Sequence, residues 1–356
     1  MTQRDDARRR LLEVLSRDEV DIFTTTGGLT LEAADQMREN VIGVIKIPVG
    51  LAEGVVINSK RYLVPMATEE YGVVTLAETG AKLAAMGGGF RAEVTGNIMR
   101  GMIQVLRVPD MDTAMRMILE EKDALLMDAN TVSRTRKAVD LRVRSLDSEV
   151  GSMLIVDVFV DVKDSMGANL VDSMCELIAP TVERLTGGHV NMRILSNLAT
   201  ERMVKVETEI PVESIGEETA QRIIEAHIFA ETDPYRAVTH NKGVMNGVIG
   251  VLLATGNDTR AVEAGAHAYA ALSGAYKPLS RWRITGDKLA GRLEMPLSVG
   301  IVGGVVQSHK AAVLILKLLE VETAAELAMV AGSVGLACNI GALYTLVTGG
   351  IKSIQP

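Results

Sequence analysis

Lys242 has the greatest chemical potential in this sequence. It sits in Thr239-His240-Asn241-Lys242-Gly243-Val244-Met245-Asn246-Gly247, a run that opens a long apolar helix. An ammonium at the start of such a helix lies near the positive end of the dipole and in partly apolar surroundings. Both lower its pKa, or make it a strong electrophile if a carboxylate is nearby. Sixteen residues on, Ala254-Thr255-Gly256-Asn257-Asp258 places an Asp in a turn before the next helix, the ordinary position of an N-cap. A second carboxylate, Glu39 of Glu39-Asn40-Val41-Ile42-Gly43, precedes a strongly apolar segment. Buried there, it has a raised pKa and can act as an acid; exposed, it is a surface Glu.

Two further runs suit anions. Asp164-Ser165-Met166-Gly167-Ala168-Asn169 joins an expected strand to an expected helix. Small residues at a helix start let backbone N–H groups approach a phosphate, although a plain capped turn reads the same way. Ser133-Arg134-Thr135-Arg136-Lys137 gathers three cations and two hydroxyls in an otherwise acidic chain. It suits a phosphate monoester, or is a solvated basic loop. His267 and His309 lack any partner pattern and read as packing or surface residues. No G-x-G-x-x-G follows a strand and opens a helix, and no Walker loop, HExxH, GxSxG or CxxC occurs.

The elements that must position these residues follow from periodicity. A helix is predicted at 31–40, a strand at 41–50, a hairpin at 55–66 and a helix at 67–86 ended by Gly87-Gly88-Gly89. The middle of the chain reads as strand 101–108, helix 111–127, strands 139–146 and 153–162, helix 168–186 and strand 189–196. That is the βαββαβ order of a ferredoxin-like domain, not a Rossmann one. Strand 203–210 and helix 214–230 follow, then mostly helix apart from strands near 281–286 and 289–296. The expected fold is α+β: a large mixed helical and sheet domain (1–95 and 205–350) with a small inserted ferredoxin-like domain (96–204).

Composition narrows the classes. The 356 residues are 47% hydrophobic and 23% charged, which suits about two packed domains and excludes disorder. A net charge of −8 disfavours nucleic acid and anionic membranes. An RNA-binding reading of the βαββαβ order fails for want of stacking aromatics: strand 101–108 has none and strand 153–162 only Phe159. Two lone cysteines and a charged N-terminus fit a reducing cytoplasm. Leu327–Ile351 carries no charge and is long enough to span a bilayer, but its five glycines and its Ser, Asn and Thr suit a close-packed buried helix better.

Six ordered segments together resemble 3-hydroxy-3-methylglutaryl-CoA reductase. They are 39–43, 164–169, 194–199, 233–247, 254–270 and 294–304, and the long run from His240-Asn241-Lys242-Gly243 to 270 resembles the class II branch. The resemblance implies reduction of a thioester to an alcohol by two hydride transfers, through a hemithioacetal and an aldehyde. It implies HMG-CoA, mevalonate and coenzyme A as ligands, and a homodimer or higher even oligomer with active sites at the subunit interface. It implies that Lys242 stabilises the oxyanion, that Glu39 donates a proton and that Asp258 pairs with Lys242. Arg236 and Asn246 would contact the carboxylate and hydroxyl of the acyl group; Asp164, Met166, Gly167, Asn169 and Asn197 would line the cofactor. Among relatives an acid near the adenine ribose goes with NADH and Ser-Arg with NADPH. Ser133 and Arg134 at that position predict NADPH, while a shifted register brings Asp123 there and predicts NADH. No metal is expected.

The family's mobile C-terminal flap carries a catalytic His that protonates the departing thiolate. Residues 351–356 match the start of that flap, and none of His189, His227, His240, His267 and His309 fits the role, so the flap is expected to lie outside this sequence. Arg8, Arg9 and Arg10 are candidates for the family's N-terminal CoA contact. The same residues serve the oxidative direction with NAD, and a CoA-thioester or dinucleotide binder without turnover is the other alternative.

Overall fold

The computed structural model describes residues 3–24 and 29–350. The expected flap start at 351–356 lies outside them. The chain forms two compact units, one from the stretches up to Val94 and from Met203 onward, the other from Thr95–Arg202. Among the described residues ten strands run in chain order: β1 Val49–Ile57, β2 Lys60–Ala67, β3 Phe90–Val94, β4 Ile98–Leu106, β5 Lys137–Leu146, β6 Met153–Asp161, β7 His189–Ser196, β8 Met203–Pro211, β9 Ser280–Thr285 and β10 Lys288–Pro296.

In the first unit six strands form one sheet in the order β2-β1-β3-β8-β10-β9. Only β1 and β3 run parallel; the other neighbours are antiparallel. Asn58 and Ser59 turn β1 into β2 with φ of 49° and 70°, the left-handed pair a two-residue hairpin favours. The strand expected at 41–50 does not form: residues 38–48 have no regular structure, and β1 begins at Val49. Pro48 lacks a ladder N–H. Ile42 and Ile45 of the apolar alternation are also 102% and 95% exposed, so the described residues give it no sheet to pack on. The helix expected at 67–86 starts only at Val73, behind Gly72 at φ 88°. Residues 68–72 are thereby freed as a turn at the end of β2.

The uncharged C-terminal stretch is the core helix Ala324–Thr348, nearly all of it buried. Its small residues admit two other helices to backbone contact. A Cβ on Gly80 of helix Val73–Ala85 would lie 1.9 Å from the Ala337 carbonyl oxygen, and one on Gly247 of helix Pro234–Ala254 would lie 2.4 Å from that of Val334. Gly80→Ala must therefore push two helices apart, and is expected to cost about 3 kcal/mol. Gly243→Ala, where a Cβ meets only open space, should stabilise the helix by about 1 kcal/mol or less. Urea unfolding of the two variants checks the contrast.

The second unit has the sheet order β5-β6-β4-β7, antiparallel throughout. Helices Met111–Glu120, Lys122–Ala129 and Ala168–Thr186 pack on one face around Met99, Ile103, Val158 and Met174. The helix expected at 111–127 is thus two, broken at Glu121. On the other face Arg100 and Arg142 stack on the Phe159 ring at 4.9 and 4.5 Å. Arg144 bonds Asp157 at 2.6 Å. These side chains cover β6, so its one aromatic offers no free stacking platform.

Candidate active site and cofactor loop

Helix Pro234–Ala254 begins with an Asp233 cap and a proline in its first turn, both strong start signals. Its buried stripe is Ala237, His240, Asn241, Val244, Met245 and Val248. Two polar members of that stripe fix its rotation. Asn241 accepts from the Leu279 N–H at 2.8 Å and donates to the Lys277 carbonyl at 2.9 Å. His240 Nε2 lies 2.7 Å from Ser280 Oγ and 3.1 Å from Asn339 Nδ2. The Trp282 indole N–H, donating to Asn339 Oδ1 at 2.8 Å, fixes which way that amide points. Burial, with His227 and Arg236 nearby, pushes the His240 pKa down to about 3. It is a neutral structural group at physiological pH.

With the helix so oriented, Arg236, Lys242 and Asn246 stay out of the core, half-buried or exposed. At 1.5 Å per residue, Arg236 and Asn246 lie roughly 9 Å and 6 Å along the axis from Lys242 on either side. Burial alone lowers the Arg236 pKa, and no carboxylate among the described residues pairs with it. A guanidinium partly withdrawn from water without an acceptor suits the carboxylate of a ligand.

The carboxylate that meets Lys242 is Glu70. Its Oε2 accepts a hydrogen bond from Lys242 Nζ, and the two side chains remain about half exposed. Glu70 sits in the 68–72 turn, where its own N–H donates to Thr68 Oγ1 at 3.1 Å. Glu39 is exposed in the irregular 38–48 stretch and not buried before a strand, so the burial expected of an acid there is not met within this chain. Asp258 is likewise occupied elsewhere. It caps helix Thr259–Ala271, accepting from the Ala261 N–H at 3.1 Å and pairing with Arg260 at 3.4 Å. Burial works to raise its pKa, but those two partners outweigh it and hold the carboxyl below its ordinary range. Neighbouring Asn257 anchors the Gly300 N–H at 2.8 Å. Near the N-terminus, Arg8 is paired with Asp21 and Arg10 with Glu53. Glu70 carried no sequence signal of its own because the Thr68-Glu69-Glu70 run was absorbed into the following helix pattern; two carboxylates between a proline-bearing strand and a glycine are the mark that identifies such a turn.

In the second unit the Asp164–Asn169 turn leads into helix Ala168–Thr186. Gly167 caps that helix at φ 98°, and no side chain blocks its N-terminus. A Cβ at Gly167 would also strike Val162 Cγ1 at 2.4 Å, so only glycine fits. Met166 and Asp164 are half-buried; Asn169 and Asn197 are exposed. A helix start with no side-chain cap and exposed Asn169 nearby fits a dinucleotide phosphate. In the basic loop, Ser133 Oγ accepts from the Arg136 N–H at 3.1 Å and the Ser133 carbonyl from Lys137 Nζ at 3.0 Å. Arg134 is exposed and has no partner among the described residues. Asp123 is exposed in the first turn of helix Lys122–Ala129. No group of three or more His, Cys, Asp or Glu among the described residues could hold a metal ion.

Known proteins share this fold. The family model for hydroxymethylglutaryl-coenzyme A reductase matches residues 5–353. The 3-hydroxy-3-methylglutaryl-coenzyme A reductase of Archaeoglobus fulgidus is 45% identical over 345 residues, 95% of this chain and 79% of that protein. A probable reductase of the same name from Borreliella burgdorferi is 33% identical, over 89% of this chain and 74% of that one. The class II enzyme from Streptococcus pneumoniae, solved bound to NADPH in open conformations, superposes with a TM-score of 0.94 at 35% identity, covering 98% of both chains. With a family match across nearly the whole sequence, the chain belongs to the hydroxymethylglutaryl-coenzyme A reductases, oxidoreductases of the mevalonate pathway.

Proposed function

We propose that Lys242 and Glu70 form the reacting pair for the reduction of HMG-CoA to mevalonate and coenzyme A, with NADPH as reductant. The hydrogen bond between their side chains is the observation that carries this reading. Arg236 holds the substrate's free carboxylate, and Asn246 its hydroxyl. Lys242 draws electron density onto the thioester oxygen and stabilises the charge that develops there. Bound reduced nicotinamide supplies the hydride to the carbonyl carbon in each of the two steps. At the aldehyde stage the pair supplies the proton that the oxygen takes up, with Glu70 in the acid role that the resemblance gave to Glu39. Asp258 holds the turn and helix beside the site by its cap. The direction of net reaction depends on reactant ratios; the same groups serve the oxidative one.

The second unit is the cofactor domain in this reading, ferredoxin-like and non-Rossmann, with Asp164, Met166, Gly167, Asn169 and Asn197 along the dinucleotide. Ser133 orders the basic loop, and Arg134 offers a free guanidinium to a 2′-phosphate. A homodimer is part of this reading, and the uncovered Ile42 and Ile45 support it, since exposed apolar surface marks interaction sites. The setting is cytoplasmic.

The test is cofactor oxidation with HMG-CoA, run in parallel with NADPH and NADH. Turnover with NADPH favoured supports the reading; NADH favoured moves the ribose contact to Asp123; no turnover from folded protein leaves a ligand binder. Arg134→Ala should weaken NADPH roughly tenfold or more, the loss of one charged hydrogen bond, and NADH by less than about twofold. Equal effects on both would remove Arg134 from the 2′-phosphate.

A further inference from the structure

Arg202 ends the second unit and is only 3% exposed. Its Nη1 donates to the Ser165 carbonyl at 3.1 Å and to the Met166 carbonyl at 3.3 Å. A buried charge is costly unless it is hydrogen-bonded and balanced, and Asp164 and Asp161 are the carboxylates acting on it. Burial brings its pKa down to about 10, which leaves it a cation at physiological pH.

The two accepting carbonyls determine where the adjoining N–H groups go. No peptide bond in the described chain is cis, and in a planar trans peptide the C=O and the following N–H point in opposite directions. Pulling the Ser165 and Met166 carbonyls toward Arg202 therefore turns the N–H groups of Met166 and Gly167 away from it. Neither N–H has an acceptor among the described residues. Two successive free N–H groups beside an uncapped helix start form a concavity for an anion.

We propose that Arg202 is a positioning residue for the cofactor: from beneath the Asp164–Asn169 turn it holds two carbonyls inward, so that the Met166 and Gly167 N–H groups face the pyrophosphate. Its charge also offsets Asp164 and Asp161, which would otherwise repel that anion. This rests on the reading of the turn as the cofactor loop. The pyrophosphate is common to both cofactors, so Arg202 acts on NADPH and NADH alike, unlike Arg134.

The experiment measures dissociation constants of NADPH and NADH by their fluorescence, and of HMG-CoA, on the full chain. Three variants are compared: Arg202→Lys, Arg202→Gln and the exposed-residue control Asn169→Ala. Arg202→Lys keeps the charge without the fork; Arg202→Gln keeps a donor without the charge. The expected result for both is weakening of NADPH and NADH by the same factor, about tenfold to a hundredfold, as for loss of charged hydrogen bonds. HMG-CoA binding stays within about twofold, because that substrate does not use this loop. If a folded Arg202 variant binds both cofactors as the parent does, while its melting temperature falls, Arg202 is only a structural ion and the proposal is overturned. Selective loss of NADPH overturns it too, by assigning Arg202 to the 2′-phosphate. Weakening by Asn169→Ala but by neither Arg202 variant overturns the proposal and keeps the cofactor loop. No weakening by any of the three overturns the loop reading itself.

Discussion

Lys242→Ala is expected to reduce the rate of HMG-CoA-dependent NADPH oxidation by roughly a hundredfold to a thousandfold, the order that one preorganised donor to a developing oxyanion contributes. The fold should not suffer. The Lys242 side chain is 54% exposed, and its bond to Glu70 spans one helix and one turn at the surface. Exposed ion pairs contribute little to stability, while the buried His240 and Asn241 beside Lys242 keep the helix in place. Unfolding curves should therefore overlay those of the parent, and NADPH titration should give the same affinity, because the cofactor loop lies in the other unit. A variant that turns over at near-parental rate would remove Lys242 from the chemistry.

Glu70→Gln makes the second large effect. The substitution keeps size and one carbonyl acceptor for Lys242, and removes only the charge and the exchangeable proton. Loss of a positioned acid or base typically costs between about a hundredfold and ten thousandfold, and the drop should fall on kcat rather than on the KM for HMG-CoA. The decisive comparison is Glu39→Gln, which should leave steady-state rates within about twofold, as expected of a surface residue. If the two variants exchange phenotypes, the acid is Glu39, and the Glu70 contact is an ordinary surface pair.

Why Lys242 was legible in the sequence and its contact with Glu70 was not is a matter of what each run of residues encodes locally. Lys242 is legible through the polar run Thr239–Gly247 within an apolar helix, although that helix starts at Pro234 and leaves Lys242 more than two turns in, away from the dipole end the sequence suggested. Gly167 is legible too, because a small residue at a strand-to-helix junction is a backbone requirement. Glu70 acts only through a partner 172 residues away, and nothing near it records that encounter. Its turn was masked because residues 67–86 keep a helical rhythm that Gly72 interrupts. Residues 41–50 misled in the opposite sense. Alternating β-branched residues describe a strand, yet a strand needs a neighbour, and among the described residues no strand pairs with 38–47. The succession of strands and helices in the second unit was legible because each element carries its own periodicity, even though β4 pairs with the distant β6 and β7, while the break at Glu121 was not, since the apolar spacing runs through it.

The glycine contact between Gly80 and the Ala337 carbonyl also bears on how the chain is made. The two residues are separated by the whole of the Thr95–Arg202 unit and much that follows. At usual rates of synthesis, on the order of tens of seconds pass between the emergence of one and of the other. The second unit is continuous and has a core of its own, so it can finish folding on the ribosome in that interval. The β1–β3 region meanwhile waits with its apolar face uncovered for a helix that arrives almost last. Chaperone demand during translation should thus concentrate on the first ninety or so residues, and a stop placed before Ala324 should yield a folded middle carrying an unfolded flank on either side.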